Sequence, residues 1–183
     1  MNKVEWGRGM PYEQPPQERD ERRTIAVLVD NEPGVLARVI GLFAGRGYNI
    51  DSLTVTEVSH ESSESRITIV THGSPAIIEQ IKSQLGRLVP VHGVTDLTAK
   101  GDPIERELAL VKVAGKGEKR VECLRLAEAF RAQVVDATTE HFVFEITGRI
   151  SKIETFINLM KPLGFVEAVR TGAVAISRGP EPM

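Results

Sequence analysis

The run Ile25-Ala26-Val27-Leu28-Val29-Asp30-Asn31-Glu32-Pro33-Gly34-Val35-Leu36 carries three structural signals in succession. Residues 25–29 are apolar without interruption and bounded by charge, the pattern of a short strand buried on both faces. Residues 30–34 are turn formers, and Pro33 ahead of Gly34 sets the entry to a helix, where a proline loses no needed donor. Val35, Leu36, Val39, Ile40, Leu42 and Phe43 then recur at helical spacing, and Gly45 and Gly47 mark the end. The stretch predicts strand, loop and helix.

Outward from it, Leu53 and Val55 alternate with Thr54 and Thr56, and Ile67 and Ile69 alternate toward Thr71, across a charged, Ser-rich hairpin at 59–65. Ser74-Pro75 supplies a cap and a first-turn proline for a helix carrying Ile77, Ile78, Ile81, Leu85 and Leu88. A strand at 91–97 closes a βαββαβ unit over residues 24–98. Residues 99–105, with Gly101 and Pro103, read as a linker. The order then repeats over 106–178: strand 108–113, helix 118–130, strands 133–137 and 141–147, and a helix at 151–161. Ser151 with Glu154 predicts a capping box for that helix, and Ile153, Phe156, Ile157 and Met160 form its stripe up to Pro162. A last strand at 166–176 is broken at Gly172, and 179–183 is a tail. The expected fold class is α+β: two ferredoxin-like βαββαβ domains, each with helices on one face of an antiparallel sheet. The other sheet face must be covered or wet, which offers a surface for a second copy.

Residues 1–23 are rich in Pro, Gly, Glu and Arg without apolar period, so they read as a flexible leader. Trp6 and Tyr12 within it are either docking aromatics or idle ones. The 183 residues, 41% of them apolar, suffice for two small cores. A net charge of −2, from 23 basic and 25 acidic residues spread along the chain, gives no field for nucleic acid. No apolar run has membrane-spanning or signal-peptide length, and the lone cysteine forms no internal disulfide. A cytoplasmic chain is expected, or a plastid or mitochondrial one in a eukaryote, although no clear transit peptide is seen.

Chemistry is sparse. His60, His72, His92 and His141 lie singly, none with a second ligand at metal-binding spacing, so no metal is expected. Cys123 falls on the apolar side of a helix, as a small buried hydrophobe rather than a nucleophile. No nucleophile-elbow, Walker, zincin or dinucleotide pattern occurs, and no catalytic residue is assigned. Gly115-Lys116-Gly117 follows a strand and opens a helix, either as a tight turn or as a weak anion loop.

The loop after the first strand is more informative. The free amides of Gly34, Val35 and Leu36 suit the carboxylate of an amino acid, and Asn31 offers a carbonyl oxygen to its ammonium. Asn49, before the second strand, adds an amide side chain at about the same end of the sheet. Taken singly, Asn31 reads as a helix cap and Asn49 as a turn cap. Together with Val35, Leu36 and Ile50 they describe a small zwitterion site with an apolar side.

Three runs carry a family resemblance: Asn31-Glu32-Pro33-Gly34-Val35-Leu36, Arg38-Val39-Ile40-Gly41-Leu42-Phe43, and Arg46-Gly47-Tyr48-Asn49-Ile50-Asp51-Ser52-Leu53-Thr54-Val55. It continues through Arg106-Glu107-Leu108, Leu110-Val111-Lys112-Val113, Phe130-Arg131, Val134-Val135-Asp136 and Ser177-Arg178-Gly179. In these runs the chain resembles the ACT-domain small regulatory subunits of acetolactate (acetohydroxyacid) synthase. The resemblance implies an N-terminal ACT domain, a C-terminal ACT-like domain and no catalysis by this chain. It implies a homodimer through ACT domains with valine, or another branched-chain amino acid, at the interface. Asn31, Gly34, Val35 and Leu36 would come from one chain, Asn49 and Ile50 from the other. It further implies a catalytic large subunit holding thiamine diphosphate, Mg and FAD, which this chain activates and makes sensitive to feedback inhibition. The rivals are a stand-alone ferredoxin-like enzyme, for which no catalytic pair is found, and a different ACT regulator, against which the match through the second half stands.

Overall fold

The computed structural model describes residues 20–59, 61 and 63–181. Trp6, Tyr12 and His60 lie outside the described residues. The first strand, β1 (Glu21–Asp30), begins inside the expected leader, since Glu21 to Arg23 already pair with Gly73 to Thr71. Thr24, Ile25, Ala26 and Val27 are all fully buried, so both faces are covered, as the unbroken apolar run predicts. After β1 come α1 (Val35–Arg46), β2 (Ser52–Ser59), β3 (Glu64–Gly73), α2 (Pro75–Leu85) and β4 (Val91–Asp96). The strand order is β2-β3-β1-β4, with β1–β3, β1–β4 and β2–β3 all antiparallel. β2 therefore runs parallel to β1.

The helices cover one face. Val35, Val39 and Phe43 of α1 and Ile78, Ile81 and Leu85 of α2 pack with Ile25, Val27, Val29, Ile67 and Ile69. Gly45 lies inside α1, and the helix stops at Gly47, whose φ of +70° lets the chain turn back onto the carbonyls of Ala44 and Phe43. Ser74 caps α2 by accepting from the Ile77 amide at 3.4 Å, as its sequence predicts.

The second half repeats the unit with β5 (Ile104–Val113), α3 (Glu118–Phe130), β6 (Gln133–Ala137), β7 (Phe142–Gly148), α4 (Ile150–Met160), a 3-10 turn (Lys161–Leu163) and β8 (Phe165–Arg170). Its order, β6-β7-β5-β8, matches that of the first sheet. β5 claims Ile104 and Glu105, so the linker is shorter than 99–105. The capping box is not formed. Arg149 occupies the N-cap of α4 with extended backbone and no side-chain cap, which places Ser151 within the helix. Glu154 instead approaches Arg170 at 3.9 Å. The stripe holds, with Ile153, Phe156 and Met160 fully buried.

The break at Gly172 produces a separate strand, β9 (Val174–Ile176), which pairs with Ile104 to Arg106 of β5. β9 lies across the helix-free face of the first sheet, where Ala175 packs with Ala26 and Leu97. Polar contacts hold it there. The Ala173 amide donates to Ser52 Oγ at 2.8 Å, Thr54 Oγ1 donates to the Ala173 carbonyl at 3.0 Å, and Arg66 donates to the Ala175 carbonyl at 2.8 Å. The C-terminal segment thus supplies the cover that β1 needs on its second face.

Candidate effector-binding site

At the start of α1, Gly34 has a φ of +88° and no side chain caps the helix, so Asn31 is not the cap. The Asn31 backbone amide donates to the Ser63 carbonyl at 2.7 Å, while its side chain is exposed and has no partner among the described residues. The Val35 amide is not free, since it reaches back to the Glu32 carbonyl at 3.4 Å. The open amides are those of Gly34, Leu36 and Ala37, one residue further into the helix than the sequence suggests. The Val35 side chain is buried in the core, whereas Leu36 is exposed.

Asn49 sits elsewhere. Ser52 is level with Val70, and Val70 with Thr24, so β2 begins beside the start of β1. Asp30 lies six residues farther along, about 20 Å at ~3.3 Å per residue. Within one chain, Asn31 and Asn49 are at opposite ends of the sheet, not at the same end. The reason is topological: α1 carries the chain back along the strand before the parallel β2 begins.

The Asn49 corner is well ordered by its neighbours. Its carbonyl accepts from Thr71 Oγ1 at 2.6 Å, its Nδ2 donates to Asp51 Oδ1 at 2.6 Å, and the Asp51 amide donates to the Val70 carbonyl at 2.8 Å. The second Asp51 oxygen pairs with His72 Nδ1. Ile50 is half-buried against the first core. Sequence reasoning missed Asp51 and His72 as neighbours of Asn49, because only the antiparallel register brings residues 21 apart together.

The other chemical candidates resolve simply. His92 pairs with Asp30 at 2.6 Å and His141 with Asp136 at 2.8 Å, and among the described residues no cluster of three or more ligating side chains occurs. Cys123 is fully buried in the second core, and loss of solvation pushes its thiol above the usual range. In Gly115-Lys116-Gly117, a Cβ on Gly115 would stand 2.8 Å from the Leu163 carbonyl. That glycine serves close backbone packing. Between the halves lies a cleft of about 820 Å³, lined by charged residues including Arg22, His72, Glu107 and Arg170. Its main ion pairs are formed, for Arg170 forks onto the buried Glu107 and Arg22 holds Glu105 at 3.0 Å, while Arg22 Nη2 is buried without a hydrogen-bond partner among the described residues.

Two ferredoxin-like units of the same strand order, the first with an open helix start beside a glycine, define a protein of the ACT class. Residues 25–93 match the family described as AHAS small subunit-like ACT domain, and residues 106–179 match that described as small subunit of acetolactate synthase. A probable acetolactate synthase small subunit of Archaeoglobus fulgidus is 46% identical over 158 residues, covering 86% of this chain and 98% of its own. The isozyme 3 small subunit of Escherichia coli is 42% identical over 159 residues, 86% of this chain and 96% of its own. The crystal structure of the Thermotoga maritima small subunit superposes with a TM-score of 0.79 at 41% identity, covering 88% of this chain and 99% of that one. The chain belongs to the acetolactate synthase small-subunit family. It is a regulatory subunit in branched-chain amino acid biosynthesis. Among the described residues no helix is long and apolar enough to cross a membrane.

Proposed function

We propose that two copies pair through their N-terminal domains and bind valine at each of two equivalent junctions. At each, Asn31, Gly34 and Leu36 of one chain, with the open Ala37 amide, meet Asn49 and Ile50 of the other, while Val35, whose amide and side chain are already engaged, anchors the turn in the core. The observation that carries this proposal is the separation of the two asparagines within one chain: they lie about 20 Å apart along the sheet, too far to touch one small ligand, and a two-fold axis that sets two α1 helices antiparallel brings the opposite ends together. The surface suits such pairing. Leu36 and Ile40, one turn apart, are 38% and 41% exposed, and β2 is an edge strand with Val55 and Val58 exposed.

The chain then serves a thiamine-diphosphate-dependent large subunit, which carries the Mg and FAD as well. It raises that subunit's activity, and valine lowers it by changing how the paired domains pack. Coupling of this kind, typically about 1–3 kcal/mol, is reciprocal: the large subunit alters valine affinity by the factor with which valine alters subunit binding. Leucine and isoleucine act more weakly, since one methylene in an apolar pocket separates ligands by only about 1–3 kcal/mol.

Reconstitution with the large subunit tests this. Asn31→Ala and Gly34→Asp each leave activation intact and abolish valine inhibition; inhibition persisting in both variants refutes the site.

A further inference from the structure

The Asn49 corner fixes more than a position. A primary amide has an acceptor end and a donor end that differ little in shape, so its orientation is set by its partners. Here the partner is a carboxylate, which only accepts. Asn49 must turn its Nδ2 to Asp51, at 2.6 Å, and its Oδ1 is left facing outward with no donor reaching it among the described residues. Asp51 is held beside it at two levels, its backbone amide by Val70 and its other carboxylate oxygen by His72. The Asn49 backbone is in turn held at its carbonyl by the buried Thr71, which keeps the side chain within reach of Asp51.

We infer that Asp51, tethered by His72, is a positioning residue that makes Asn49 present an oxygen, so that the Asn49 half of the site recognises the effector's ammonium and rejects ligands lacking a donor there. The effector's polarity follows. Its carboxylate faces the open Gly34, Leu36 and Ala37 amides of one chain, and its ammonium faces Asn49 of the other. The consequence is discrimination by functional group: an α-amino acid offers donors at that position, a 2-hydroxy acid offers one, and a 2-oxo acid offers only another acceptor. This inference rests on the two-chain site proposed above.

Calorimetry on the full-length chain with valine, 2-hydroxyisovalerate and 2-oxoisovalerate tests it. The natural chain binds in that order, with valine favoured over the oxo acid by about 100-fold, the scale of a lost hydrogen bond to a charged group. In Asp51→Asn the new amide can donate to Asn49 Oδ1 and release the orientation, so the valine-to-oxo-acid ratio narrows by about tenfold or more. A merely structural role for Asp51 weakens all three ligands alike and leaves the ratio unchanged, which overturns the inference. His72→Ala, at an exposed position, narrows the ratio in the same direction and decides the matter if Asp51→Asn does not fold. If the natural chain binds no valine, or Asn31→Ala binds it normally, the two-chain site itself fails. If valine binding and its loss in Asn31→Ala both hold while the ratio stays fixed in the folded variants, only the role of Asp51 fails.

Discussion

Cys123 and Asp102 give residue-scale tests of the structure. Cys123 is fully buried among Ala127, Phe144 and Ile153, with its thiol pushed up by burial. A soluble alkylating reagent should leave the native chain unmodified over a period in which the denatured chain reacts completely; rapid native labelling contradicts the packing. Asp102 is exposed and receives Arg149 at 2.9 Å and Arg178 at 3.5 Å, which hold its carboxyl below the usual range. A depressed value in the folded state contributes stability above the ordinary carboxylate range, and that contribution fades as pH falls into and below that range. Asp102→Asn should therefore lose less of its thermal midpoint on acidification than the natural chain. These residues were legible to different degrees. Cys123 was readable from helical period alone, whereas the Asp102 cluster joins residues far apart in sequence. Asn31 and Gly34 stood out because their chemistry is local to one turn.

Elements with strong periods were readable, and those defined by tertiary contact were not. The α1 stripe of Val35, Val39 and Phe43 and the Ser74-Pro75 start of α2 follow from spacing and capping chemistry. Ser151 misled because a Ser-x-x-Glu pattern is satisfied equally by a first-turn serine, and Arg149 already holds the extended backbone of an N-cap. Periodicity places the two asparagines at one end and the structure places them at opposite ends, because the direction of β2 depends on sheet order, which periodicity does not carry. β9 is three residues long and exists by virtue of its partners. Its entry gives a stability test. Gly172 has a φ of +84°, and a Cβ there meets Ser52 Oγ at 2.8 Å; Gly34 has a φ of +88° with nothing within 4 Å. Gly34→Ala should cost about 1–2 kcal/mol for the backbone alone. Gly172→Ala should cost more, because the strap must also lift from Ser52 and Thr54, and equal thermal shifts contradict that contact.

For the whole molecule, the proposed function depends on assembly: the residues assigned to the effector site lie at opposite ends of one sheet, and two chains are needed to bring them together. A charge placed on the pairing surface should separate the copies, so Ile40→Asp is expected to sediment as a monomer and to lose valine binding with Asn31 and Asn49 intact. A monomer that still binds valine would place the site within one chain. The most direct measurement mixes two inactive parents, Asn31→Ala and Asn49→Ala, allows their subunits to exchange, and titrates valine. In a mixed dimer one junction carries both alanines and the other carries both asparagines. Random exchange makes about half of the dimers mixed, so binding should return at about a quarter of the natural number of sites, with natural affinity. A mixture as inert as its parents would contradict a site shared between two chains.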